Sequence, residues 1–123
     1  MVSFLQKLWG RKAEGTAQAA ELKTLASLGT DMHSHLLPGL DDGAETVEQG
    51  VELVRAMQAL GYRKLVLTPH IMGDFYRNTP EGIGQALALL QRATAAAGIT
   101  GVELECAAEY YLDEWFMEKL RRE

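Results

Sequence analysis

Thr30-Asp31-Met32-His33-Ser34-His35, followed by Asp41-Asp42-Gly43 and then by Thr68-Pro69-His70, is the part of the chain whose reading decides the fold. All three histidines of the sequence lie within it. A His-x-His pair on a strand turns both imidazoles to one face, because strand side chains alternate with a period of two. A nearby carboxylate and a third imidazole complete a nitrogen-and-oxygen donor set that suits zinc, manganese or iron. The residues alone point to a hydrolytic metal site.

The flanking sequence places these motifs. A strand at Thr30 to His33 precedes a helix that begins near Thr46, where Thr46 and Gln49 have the spacing of a capping box. Val47, Val51, Val54 and Met57 form its apolar stripe, and Gly61 suits its stop. A second strand, Lys64 to Thr68, is built on Leu65-Val66-Leu67. Thr79-Pro80 opens the next helix, with proline at a first-turn position; Ile83, Leu87, Leu90, Ala93 and Ala97 line it and Gly98 ends it. A third strand, Val102 to Ala108, alternates Val102, Leu104 and Cys106 on one face with Glu103, Glu105, Ala107 and Glu109 on the other. A last helix spans Asp113 to Arg121.

This order predicts an α/β fold of right-handed βαβ units around a parallel sheet, with His33, His35, His70 and Glu109 at strand C-terminal ends. That is the catalytic end of (β/α) barrels. Three such units cannot close a barrel, because their outer strands would leave backbone groups unpaired. The expectation is the N-terminal portion of a larger domain over 29–123, preceded by a helical leader over 1–28. A small self-sufficient three-layer sheet is the alternative.

Composition narrows the class. The chain has 123 residues, 47% of them hydrophobic and 24% charged, which suffices for one modest domain. A net charge of -5 argues against a general nucleic-acid binder. A single cysteine makes no intrachain disulfide and fits a reducing, cytoplasmic compartment. Met1 to Lys12 mixes Phe4, Leu5, Leu8 and Trp9 with Lys7, Arg11 and Lys12. It is too short and too interrupted for a membrane span, so no stable membrane insertion is expected. A short amphipathic helix packed on the domain or a partner is the plain reading, with a peripheral membrane contact as the other.

The ordered set Asp31-Met-His-Ser-His-Leu-Leu-Pro-Gly-Leu-Asp-Asp-Gly43, Thr68-Pro-His70 and Ala108-Glu-Tyr-Tyr111 resembles the polymerase-and-histidinol-phosphatase (PHP) superfamily. More narrowly, it is similar to the CpsB/CapC branch of bacterial manganese-dependent protein-tyrosine phosphatases linked to capsule and exopolysaccharide synthesis. The resemblance covers about residues 28 to 123. It implies the first three βα units of a distorted (β/α) barrel that holds up to three metal ions. By the same match, His33 and His35 bind one ion, Glu109 bridges it to a second, and Asp42 and His70 bind the third. Further ligands and phosphate-holding arginines come, in the family, from later strands that this sequence does not contain.

Each assignment has a plainer alternative. Histidines 33 and 35 could be core residues satisfied by the backbone, and His70 a solvated loop residue. Asp41-Asp42-Gly43 also reads as a turn that starts a helix, and one of its acids can serve only that purpose. Glu109 could be a charge at a strand end. Asp31 shares the histidine face and is read as a carboxylate that orients an imidazole rather than as a ligand. In the loop after His70, Phe75 or Tyr76 is a candidate to stack on a phosphotyrosine ring and Arg77 to meet its phosphate; a solvated loop pinned by one aromatic is the alternative. Tyr110 and Tyr111 are read as packing residues. Cysteine-dependent phosphatases need an arginine six positions after the cysteine, and here Leu112 follows Cys106 at that distance, so Cys106 is read as a packing residue.

The expected activity is metal-assisted phosphomonoester hydrolysis by a water shared between cations, with no covalent phosphoenzyme. Manganese is the preferred ion; zinc, iron and magnesium stay open. The substrate implied by the resemblance is a phosphotyrosine protein, such as a capsule or exopolysaccharide tyrosine kinase. This chain by itself is expected to be incomplete and inactive. The alternatives are a phosphatase for a small monoester such as histidinol phosphate, and a noncatalytic metal-binding fragment.

Overall fold

A computed structural model describes residues 25–122. The leader expected over 1–28 lies outside the described residues except for its end, where Leu25–Ser27 forms a 3-10 turn. After this turn come β1 (Thr30–Ser34), α1 (Val47–Ala59), β2 (Lys64–Leu67), β3 (His70–Ile71), α2 (Pro80–Ala96), β4 (Glu103–Cys106), β5 (Glu109–Tyr110) and α3 (Glu114–Arg122). Strands β1, β2 and β4 form one parallel sheet in that order, and β3 and β5 form a second, two-stranded parallel sheet. The mixed α/β class with parallel strands is as the pattern predicts. Among the described residues no helix is long and apolar enough to cross a membrane.

Local chemistry sets the boundaries. Thr46 caps α1 by accepting from Gln49 N–H at 3.2 Å, while the Gln49 side chain reaches back to Glu45 N–H at 2.8 Å, one residue beyond the expected box. Helix α1 closes with Gly61 at φ +102°, its N–H bonded to Gln58 O and that of Tyr62 to Met57 O. Helix α2 closes the same way at Gly98, through Ala95 O and Thr94 O. Both are Schellman closures, which satisfy the last carbonyls with a left-handed residue that glycine adopts without a Cβ penalty. At the start of α2, Thr79 accepts from Gly82 N–H at 3.1 Å. Thr79→Ala is expected to lower stability by about 1 kcal/mol, read as a lower urea midpoint, with Thr79→Ser restoring it.

The core gathers Val51 and Val54 of α1, Ile83 and Leu90 of α2, Leu65 and Leu67 of β2, and Leu104 of β4. Leu65, Leu67 and Leu90 are fully buried, and each such side chain stabilises the fold by roughly 1.5–3 kcal/mol relative to exposure. The alternation predicted for β4 holds where it can be traced, with Leu104 buried and Glu103 and Glu105 exposed. Lys64 of the neighbouring strand meets both acids, at 3.6 and 2.7 Å.

Two departures from regular strands shape the end of the sheet that carries the histidines. The second and third predicted strands end at Leu67 and Cys106, short of the expected Thr68 and Ala108, and each is followed by a further short strand that the pattern does not predict. Residues 68–69 and 107–108 interrupt them, and the segments beyond the breaks pair separately, with His70 in register with Glu109 and Ile71 with Tyr110. The parity count that put Glu109 on the Glu103 and Glu105 face therefore does not run through the break. In β1 the register with β2 shifts between Asp31 and Ser34, so one extra residue is accommodated there. Such a bulge re-aims the side chains beyond it. It also breaks the simple alternation on which Asp31 was placed beside the imidazoles.

Candidate metal centre

The five predicted ligands come together. His33 Nε2 lies 3.4 Å from His35 Nε2 and 3.4 Å from Glu109 Oε2, and His35 Nε2 lies 3.2 Å from the same oxygen. His70 Nδ1 is 3.3 Å from Glu109 Oε2, and His70 Nε2 is 3.5 Å from Asp42 Oδ1. One carboxylate oxygen thus faces all three imidazoles, and the far side of His70 faces a second acid. The β3–β5 register makes this possible, since it sets His70 directly beside Glu109 while the end of β1 supplies the other pair.

The spacing tests whether a cation fits. Donors about 2.1 Å from a common ion lie about 3.4 Å apart at tetrahedral angles and about 3.0 Å apart at octahedral angles. The triangle of His33 Nε2, His35 Nε2 and Glu109 Oε2, with edges of 3.4, 3.4 and 3.2 Å, has the dimensions of one face of such a polyhedron. The donors are borderline nitrogen and hard oxygen, the mixture that zinc, manganese and iron accept. The residues present fit a divalent metal. A second group, His35, Asp41, Asp42 and His70, also offers donor atoms within 4.8 Å of one another.

The surroundings hold the imidazoles in place. Asp41, by sequence a plain turn residue, accepts from His35 Nδ1 at 2.7 Å and from His70 N–H at 2.9 Å through Oδ2, and from Gly43 N–H at 2.9 Å through Oδ1. Burial pushes the Asp41 carboxyl pKa up, but the His70, His35 and Gly43 hydrogen bonds outweigh it and hold it below the ordinary value. The carboxylate that contacts an imidazole is therefore Asp41 and not Asp31, whose Oδ2 is buried with no hydrogen-bond partner among the described residues. The register shift of β1 lies between Asp31 and Ser34, so period-two counting does not carry from Asp31 to the histidines. Thr68, itself buried, lies with its hydroxyl 3.2 Å from His33 Nδ1. Asn78 donates to both Leu40 O and His70 O at 2.8 Å, joining the loop before Asp41 to the strand that carries His70. Neither Thr68 nor Asn78 stands out in the sequence. A hydroxyl beside Pro-His and an amide before Thr-Pro read as ordinary turn chemistry.

Two candidates from the loop after His70 sit at the edge of this cluster. The Tyr76 ring stacks on His70, with centroids 5.6 Å apart and planes 14° from parallel. Arg77 is exposed and turns its Nε to the Gly73 carbonyl. Phe75 is exposed; of the two tyrosines read as packing residues, Tyr110 packs against the core and against Phe116, whereas Tyr111 is exposed. Cys106 also packs against the core, and burial followed by the Glu105 charge raises its thiol pKa, the opposite of what a thiolate nucleophile needs.

Fold and site together describe a parallel α/β protein with a cluster of histidines and carboxylates that could hold a metal ion. The chain belongs to the CpsB/CapC family: the family model described as "Capsular polysaccharide synthesis, CpsB/CapC" matches residues 29–123. It is 38% identical over 56 residues to the tyrosine-protein phosphatase YwqE of Bacillus subtilis, an alignment covering 46% of this chain and 22% of that protein. It is 32% identical over 53 residues to the putative tyrosine-protein phosphatase CapC of Staphylococcus aureus, covering 43% and 21% respectively. A solved structure from a study of YwqE of Bacillus subtilis and CpsB of Streptococcus pneumoniae, described there as unique metal-dependent tyrosine phosphatases, superposes with a TM-score of 0.67. That match has 27% identity and covers 76% of this chain and 37% of the other. The chain therefore spans about a fifth of the curated relatives' length in the aligned region.

Proposed function

We propose that residues 29–123 are the first three βα units of a distorted (β/α) barrel of the PHP type. Its activity is the metal-dependent hydrolysis of phosphotyrosine in proteins of capsule or exopolysaccharide synthesis. The observation that carries this reading is the donor triangle of His33, His35 and Glu109, whose edges match those of a coordination polyhedron. In it, His33, His35 and Glu109 would hold one group of ions, and Asp42 and His70 would hold a further one. Bound divalent cations, with manganese as the proposed ion, supply acidity to water and neutralise charge on phosphoryl oxygens.

The chain's own residues do the remaining work. Imidazole nitrogens and carboxylate oxygens fix the donor positions in advance, so little reorganisation is needed when phosphate arrives. Tyr76, already lying over His70, and Arg77 beyond it form the substrate side of the site, where an aromatic ring and a phosphate would be met. Water cleaves the phosphorus–oxygen ester bond, the tyrosine leaves as a phenol after gaining a proton, and inorganic phosphate is released. The names of YwqE and of the solved structure support a tyrosine-phosphate substrate, and a capsule-system tyrosine kinase is the partner that would supply it. A cytoplasmic location, which the single cysteine fits, completes the reading.

The test uses the longer protein that carries this segment, assayed on a phosphotyrosine peptide and on histidinol phosphate. Phosphotyrosine hydrolysis is expected to vanish with a chelator, return with manganese and persist in Cys106→Ala. Preference for histidinol phosphate would replace the substrate assignment, and activity that survives complete metal removal would end the reading altogether.

A further inference from the structure

We infer that Asp41 is a positioning residue that presets the centre before any ion binds, by fixing which nitrogen of His35 is free and by docking the His70 strand against the same carboxylate. The inference rests on the proposed metal-binding role of His33, His35, Asp42, His70 and Glu109. Three separate motifs meet on this one side chain: the His-x-His pair through His35 Nδ1, the acidic turn through Gly43 N–H, and the Thr-Pro-His segment through His70 N–H. The Asp41 side chain is 1% exposed, against 67% for its neighbour Asp42. The two acids of the turn thus face different tasks.

The chemistry is one-directional. An ionised carboxylate only accepts hydrogen bonds, so the proton between Asp41 Oδ2 and His35 Nδ1, 2.7 Å apart, belongs to the nitrogen. Neutral His35 then carries its lone pair on Nε2, the atom that faces Glu109 and His33. The Thr68 hydroxyl beside His33 Nδ1 forces no such choice, because it both donates and accepts. Asp41 is also a poor ligand itself. Two hydrogen bonds occupy Oδ2 and a third occupies Oδ1, so coordination would cost contacts that hold the loops together.

The experiment compares the wild-type chain with Asp41→Asn and Asp41→Ala. Long-range nitrogen–proton NMR of the metal-free protein reads the His35 tautomer, and calorimetric titration with manganese chloride reads affinity. The expected wild-type spectrum shows His35 protonated at Nδ1. Asp41→Ala is expected to give a mixed tautomer and to weaken manganese binding about 10- to 100-fold, in line with the loss of an orienting partner. Asp41→Asn, which keeps an acceptor oxygen without the charge, should fall between the two, and it decides the matter if the alanine variant does not fold. A native circular dichroism spectrum with an unchanged tautomer and unchanged affinity would overturn the inference. If wild-type protein binds no divalent metal, the metal-centre reading fails by itself, and the tautomer comparison still decides the role of Asp41.

Discussion

Gly43→Ala is expected to destabilise the chain by about 3 kcal/mol, at the top of the range for overpacking, and to abolish metal binding along with it. An alanine Cβ at this position would lie 2.1 Å from the His35 carbonyl oxygen and 2.5 Å from His35 Cβ. These are fixed atoms, not the tip of a flexible side chain. The turn and the end of β1 must separate to make room, and that separation breaks the Ala44 N–H bond to His35 O and the Gly43 N–H bond to Asp41. His35 would then lose its place beside Glu109. Urea unfolding and manganese titration of the same variant check both effects. Wild-type stability in Gly43→Ala would show that the turn does not press on the strand as described.

Glu109→Gln is expected to lower divalent-metal affinity by about two orders of magnitude or more, exceeding the loss on removing an orienting neighbour. The carboxylate contributes the negative charge of the triangle, and its Oε2 lies 3.2–3.4 Å from all three imidazoles. An amide keeps the shape but not the charge, and two of the proposed ions share this ligand. Stability of the metal-free chain should fall by less than about 1 kcal/mol, because the side chain is 40% exposed and its contacts are solvated. Glu105→Gln serves as the control, since Glu105 pairs with Lys64 away from the cluster. Electron paramagnetic resonance of added manganese reads the outcome, and wild-type occupancy in Glu109→Gln would remove the bridging role.

Much of the architecture is legible because local chemistry and global fold agree. Thr46, Thr79, Gly61 and Gly98 carry capping signals that the helices obey to the residue. The convergence of His33, His35, Asp42, His70 and Glu109 is expected from strand-end placement and from the family pattern. The illegible part depends on backbone irregularity. Period-two counting assumes an unbroken strand, so it misses the register shift after Asp31 and the breaks at 68–69 and 107–108. It therefore selects Asp31 as the orienting acid, whereas Asp41 has the contacts. Long-range partners such as Asn78 with Leu40 and His70 carry no local signature at all.

The pairing of β3 with β5 sets a timetable for synthesis. A ribosome delivers His33, His35 and His70 well before Glu109, and the ladder that seats Glu109 beside His70 exists only once both segments have emerged and aligned. Until then the three imidazoles lack the carboxylate oxygen that lies 3.2–3.4 Å from each of them in the folded chain. The four donors, three imidazole nitrogens and the Glu109 oxygen they face, are thus brought together only after the last strand has paired.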